Sequence, residues 1–73
     1  MGRVRQPEFK ILKDRNGRYY WHLQGASGRI VASSGQAYES KYSCALDVNW
    51  LRANAGLIMV YDYTGEPSRR LPV

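Results

Sequence analysis

Apolar positions change their period along this chain, and the changes divide it into elements. From Phe9 to Lys13 apolar and polar residues alternate, with Phe9 and Ile11 on one face. Within residues 18–24 the alternation is clearest: Tyr19, Trp21 and Leu23 fall on one face, Tyr20, His22 and Gln24 on the other. A period of two marks a half-buried strand, and aromatic side chains suit that pleated surface. Between the two runs lies Asp14-Arg15-Asn16-Gly17, whose Asn-Gly pair tolerates positive φ and predicts a tight hairpin turn. A second turn at Ala26-Ser27-Gly28-Arg29 leads into a third strand over residues 30–33, and Gly35-Gln36-Ala37 reads as a loop. Residues 9–34 are therefore expected to form a three-stranded antiparallel meander.

The period then becomes helical. Ser40 is placed to cap a helix over residues 41–55, since its hydroxyl can accept an orphan N–H of the first turn. Arg52 complements the negative end of the helix dipole, and Gly56 fits the left-handed position just past the end. A last strand is expected over residues 57–63, with Leu57, Met59, Tyr61 and Tyr63 on one face and Ile58 and Val60 on the other. Its first half is apolar on both faces, which predicts a strand between two layers; whether it joins its own meander or a partner's sheet stays open. The fold class is α+β, a three-stranded antiparallel meander, one helix and one final strand, in the order βββαβ. One domain over residues 8–66 is expected between flexible tails at 1–7 and 67–73.

The helix carries two apolar stripes. At 100° per residue, Cys44, Ala45, Val48, Leu51 and Ala55 form the one that should face the sheet. Tyr42, Leu46, Trp50 and Ala53 form another, nearly opposite. A helix lying on one sheet needs a single stripe. Tyr42, Leu46 and Trp50 are accordingly the candidate interface residues, Trp and Tyr being common anchors.

Size sharpens that expectation. A chain of 73 residues allows one domain, and a domain this small buries only about 60% of the surface its unfolded chain exposes. Disulfides, a metal or oligomerisation usually make up the deficit. One cysteine, Cys44, and one histidine, His22, supply neither an internal disulfide nor a zinc site, which leaves self-association as the expected device unless packing alone suffices. No apolar signal segment follows the first residues and no run is long enough to span a membrane, so a cytoplasmic location is expected.

The formal net charge is +5. Four of the excess positive charges are Arg3, Arg5, Arg69 and Arg70, in the two expected tails, and the domain between them is nearly neutral. The basic character therefore marks flanking segments rather than a binding face. Catalysis finds no constellation: His22 lies on the polar side of a strand, Cys44 on the core stripe, and the acids are scattered. No glycine-rich phosphate loop is present, and no cofactor is expected. The reading is a small non-catalytic structural or interaction domain. The alternative is a weak, sequence-nonspecific nucleic-acid binder using basic tails and sheet aromatics, with Tyr20, His22, Lys10, Arg69 and Arg70 as candidate contacts.

The order Phe9, Lys13-Asp14, Gly17, Tyr19, Trp21, Leu23, Gly28, Ile30, Ala32, Ser34, Tyr38, Ser40-Lys41, Ala45, Val48, Leu51, Asn54-Ala55 resembles the YegP-like domain family. That is a short bacterial and archaeal family without an established molecular function. The resemblance covers about residues 8–63, and its motifs are structural. It implies, for a single repeat, a homodimer mimicking the tandem repeats found elsewhere in the family, and it makes an intertwined arrangement of the last strand credible. The chain departs from the family pattern at the second turn, where Ser27-Gly28 stands for Asn-Gly. The loop before Tyr38 is one residue longer and lacks an acid. The third departure is on the helix, where Leu46 and Trp50 replace polar residues.

Overall fold

The computed structural model describes residues 6–73. Residues 1–5, most of the expected N-terminal tail and the site of Arg3 and Arg5, lie outside the described residues. Three strands, β1 (Glu8–Lys13), β2 (Tyr19–Gln24) and β3 (Ile30–Ser33), form an antiparallel sheet in the order β1-β2-β3. The register pairs Phe9 with Leu23, Lys10 with His22 and Ile11 with Trp21. Phe9 and Trp21 meet edge to face, 5.5 Å between ring centres.

The first turn is wider than Asn16-Gly17 predicts. Only Gly17 has positive φ, at 79°, and Asn16 does not. The Asp14 carboxylate decides this: Oδ1 accepts from the N–H of Asn16 at 2.8 Å and of Arg18 at 2.9 Å. The turn then closes through Gly17 N–H to the Asp14 carbonyl at 3.1 Å. The second turn repeats the geometry, with Gly28 at φ 90° and its N–H donating to the Gly25 carbonyl at 2.9 Å. After β3 the chain returns to the edge of β2, where Tyr38 and Tyr19 exchange both backbone bonds, at 2.7 and 2.8 Å.

Helix α1 (Lys41–Asn54) starts where Ser40 caps it, the Ser43 N–H donating to Ser40 Oγ at 3.1 Å. It ends differently from expectation. Gly56 does not take a left-handed conformation; the chain tightens into a 3-10 turn over Ala55–Leu57. That turn consumes the start of the expected last strand, so β4 is only Val60–Asp62. Nor is the segment 67–73 wholly a tail: Arg69–Leu71 forms β5, antiparallel to β4, with Val60 opposite Leu71, Tyr61 opposite Arg70 and Asp62 opposite Arg69. The Asp62 carboxylate organises the turn between them, accepting from Thr64 N–H at 2.8 Å and Thr64 Oγ1 at 2.6 Å.

The helix lies over β1 and β2 and does not reach β3. The hairpin β4–β5 touches neither the meander nor the helix. Cys44 and Val48 are the buried apolar residues, and the expected sheet-facing stripe of the helix is the one that is covered. The Cα radius of gyration is 15.3 Å, against about 11 Å for a compact chain of this length. The accessible surface is 6295 Å², whereas a compact protein of this mass shows about 4,600 Å².

Candidate interaction surface

The outer stripe of α1 is open to solvent. Tyr42 is 73% exposed, Leu46 50% and Trp50 57%. The hairpin is open on both faces as well: Met59, Tyr61 and Tyr63 are exposed on one, Ile58, Val60 and Leu71 on the other. In one chain, then, β4 is not the enclosed strand that its double-sided apolar pattern predicts.

A third open region lies along β1. One cleft, of about 460 Å³, is lined by Pro7, Glu8, Phe9, Leu23, Val48 and Arg52. Another, of about 340 Å³, is lined by Ile11, Leu12, Lys13, Tyr19 and Lys41. Both open between the edge strand and the helix, one beside Lys41 near its start and one beside Arg52 near its end. Ile11 shares the helix-facing side of the sheet with Trp21 and Phe9, yet it remains 38% exposed. Sequence reasoning missed this groove, because it depends on which strands the helix covers. The free alternation of Phe9 and Ile11 identified their face but not what would cover it.

The candidate nucleic-acid contacts fall in two places. Lys10 and His22 are cross-strand partners, and Tyr20 stacks edge to face with His22 at 5.2 Å, all on the side of the sheet away from the helix. Lys10 also pairs with Glu8 at 3.8 Å. Arg69 and Arg70 sit on β5, against Asp62 and Tyr61, in the hairpin that makes no contact with the sheet. The structure does not bring the two groups together.

Cys44 is fully buried, and its thiol is pushed up from its ordinary value, first by desolvation and then by the neighbouring Asp47 charge. Such a thiol is a poor nucleophile at neutral pH. Among the described residues no group of three His, Cys, Asp or Glu side chains could hold a metal ion, and no helix is long and apolar enough to cross a membrane.

The comparisons with known proteins agree with this geometry. The family model described as "Domain of unknown function (DUF1508)" matches residues 14–62. A "UPF0339 protein" of Treponema denticola is 35% identical over 48 residues, which are 66% of this chain and 81% of the relative. The NMR solution structure of a protein from Haloferax volcanii is similar with a TM-score of 0.68 at 28% identity, covering 78% of this chain and 95% of that one. Strands β2 and β3, the capped helix and β4 fall within the matched region, with β1 immediately before it, and on these grounds the chain belongs to the DUF1508 family, the YegP-like family that its residues resemble.

Proposed function

We propose that this protein is a non-catalytic interaction domain whose working unit is a homodimer. One observation carries the reading: the hairpin β4–β5, with apolar side chains exposed on both faces, finds no partner among the described residues. An exposed strand pair of this kind is marginal by itself in water. The surface in excess of a compact chain is about 1,700 Å², enough to supply the roughly 800 Å² per partner of a standard interface twice over. The stripe of Tyr42, Leu46 and Trp50 offers a second contact area. The one cysteine is unpaired and buried, which suits a reducing, cytoplasmic setting.

Sedimentation at tens of micromolar tests the reading. The expected species has twice the 8.4 kDa mass of the chain. A well-folded monomer at that concentration overturns it.

A second reading, weak sequence-blind binding to nucleic acid, has one observation in its favour: Lys10, His22 and Tyr20 are contiguous on the side of the sheet that the helix leaves open. Titration of labelled single- and double-stranded DNA and RNA at low and moderate salt tests it, and absence of binding at low salt ends it.

A further inference from the structure

The side of the sheet away from the helix holds a cleft of about 410 Å³, within the roughly 300–1,000 Å³ of small-molecule sites. Asp14, Tyr20, His22 and Ser33 line it, with residues 34–37 as its rim. The rim is anchored at both ends. The Trp21 N–H donates to Ser34 Oγ at 3.2 Å and the Ser34 N–H to the Trp21 carbonyl at 2.9 Å, while Tyr38 exchanges both backbone bonds with Tyr19. Between these anchors Gly35, Gln36 and Ala37 make no backbone hydrogen bond among the described residues. On the wall, His22 is the cross-strand partner of Ser33, and its ring meets Tyr20 edge to face. The Tyr20 hydroxyl, the His22 imidazole, the Ser33 hydroxyl and the Gln36 amide also make no hydrogen bond among the described residues. Asp14 uses Oδ1 to hold the first turn and leaves Oδ2 unused there. Polar groups with unspent capacity therefore converge on one cleft beside two aromatic rings.

We infer that this cleft binds a neutral carbohydrate, with one sugar ring seated against Tyr20 and His22. The balance of donors and acceptors selects the class. Two hydroxyls, an amide and a neutral imidazole each give and take a hydrogen bond, and the Asp14 carboxylate only takes. Sugar hydroxyls have the same dual character, so each finds a match. An anion needs donors alone and meets the Asp14 charge. No Lys or Arg lines the cleft, and Lys10, across from His22, is paired with Glu8 at 3.8 Å. An ammonium group needs acceptors alone and leaves the donors idle. A metal ion finds no group of three ligands among the described residues. The rings of Tyr20 and His22 supply the apolar surface on which the C–H face of a sugar can lie. The site goes beyond the interaction reading above: one chain builds it, without the hairpin or the outer helix stripe.

Amide chemical-shift titration of the full chain tests this, with the methyl glycosides of glucose, galactose and mannose as probes. Inorganic phosphate, methylammonium and a thymidine oligonucleotide serve as competitors of other chemistry. At least one glycoside should give saturable shifts centred on Tyr20, His22 and Gln36. Gln36→Ala, in the exposed loop, should weaken that binding about three- to tenfold, and Tyr20→Leu should abolish it, with the remaining spectrum reporting that each variant is folded. No saturable shift from any glycoside up to its solubility overturns the proposal. So does a response confined to phosphate, methylammonium or the oligonucleotide, the last of these favouring the nucleic-acid reading of the same face. Glycoside binding that both variants retain at full strength overturns it as well.

Discussion

The Tyr38 hydroxyl donates to Asp47 Oδ2 at 2.6 Å. Tyr38 is held by its backbone against Tyr19 at the end of the sheet, and Asp47 lies in the middle of α1. The bond therefore fixes the helix against the segment that leads into it. Tyr38→Phe removes the bond and keeps the ring. A loss of about 1 kcal/mol is expected, read as a lower denaturant midpoint with an unchanged slope. No change in midpoint would mean that the contact is only incidental.

The helix start offers a second test. Ser40 satisfies the Ser43 N–H, and no acidic side chain sits in the first turn to share that work. Ser40→Ala should cost about 1 kcal/mol, with Ser40→Asp restoring most of it. The pair of variants separates a capping role from a packing one.

Positive φ at Gly28 makes a third. A side chain there is strained whatever room it has, and Gly28→Ala should lower stability by about 1 kcal/mol or more. Gly35 has negative φ and open space where a Cβ would go, so Gly35→Ala should be near neutral. Thermal unfolding of the two variants side by side checks the contrast.

Burial raises the Cys44 thiol, with Asp47 adding to the shift. Below its ordinary value of 9.0 the thiol is protonated in folded and unfolded chains alike, and its contribution is fully present. As pH climbs past that value the unfolded chain ionises first, so stability falls as pH rises toward and through the native value. Denaturant unfolding from pH 8 to pH 10.5 should show a decline that is smaller in Cys44→Ala. An identical decline in both proteins would assign it to other groups.

On the outer helix stripe, Leu46→Glu with Trp50→Glu should weaken self-association without touching the Cys44–Val48 side. Sedimentation should show a shift toward the monomer, or a poorly folded chain. Trp50→Phe, which keeps the apolar surface, should behave as the parent protein. Unchanged association in the double variant would confine the contact to the hairpin.

Much of the architecture was legible because it rests on local rules. Alternation gave the three strands, Ser40 the helix start, and the stripe through Cys44 and Val48 the buried face. Errors arose where local hydrogen bonding, from a side chain at one place and from the backbone at another, outcompeted the preference of the turn or cap residue. The carboxylate of Asp14 widened the first turn, and the helix end tightened through Ala55–Leu57 instead of stopping at Gly56. β5 was missed because Arg69-Arg70 reads as a solvated charge pair; its strand pairing depends on the turn that Asp62 and Thr64 organise. The groove along β1 was beyond reach for another reason. It exists only because the helix sits off-centre on the sheet, a property of packing that no local pattern encodes.

The hairpin's isolation has a consequence for amide exchange. Alone, β4–β5 can open without disturbing the meander, so the protected amides of residues 60–62 should exchange at an opening cost far below that of β2. Docked against a second chain, the same amides could exchange only after dissociation. Their protection would then rise with total protein concentration while that of β2 changed less, making three residues of one short strand a built-in gauge of how much of the protein is assembled.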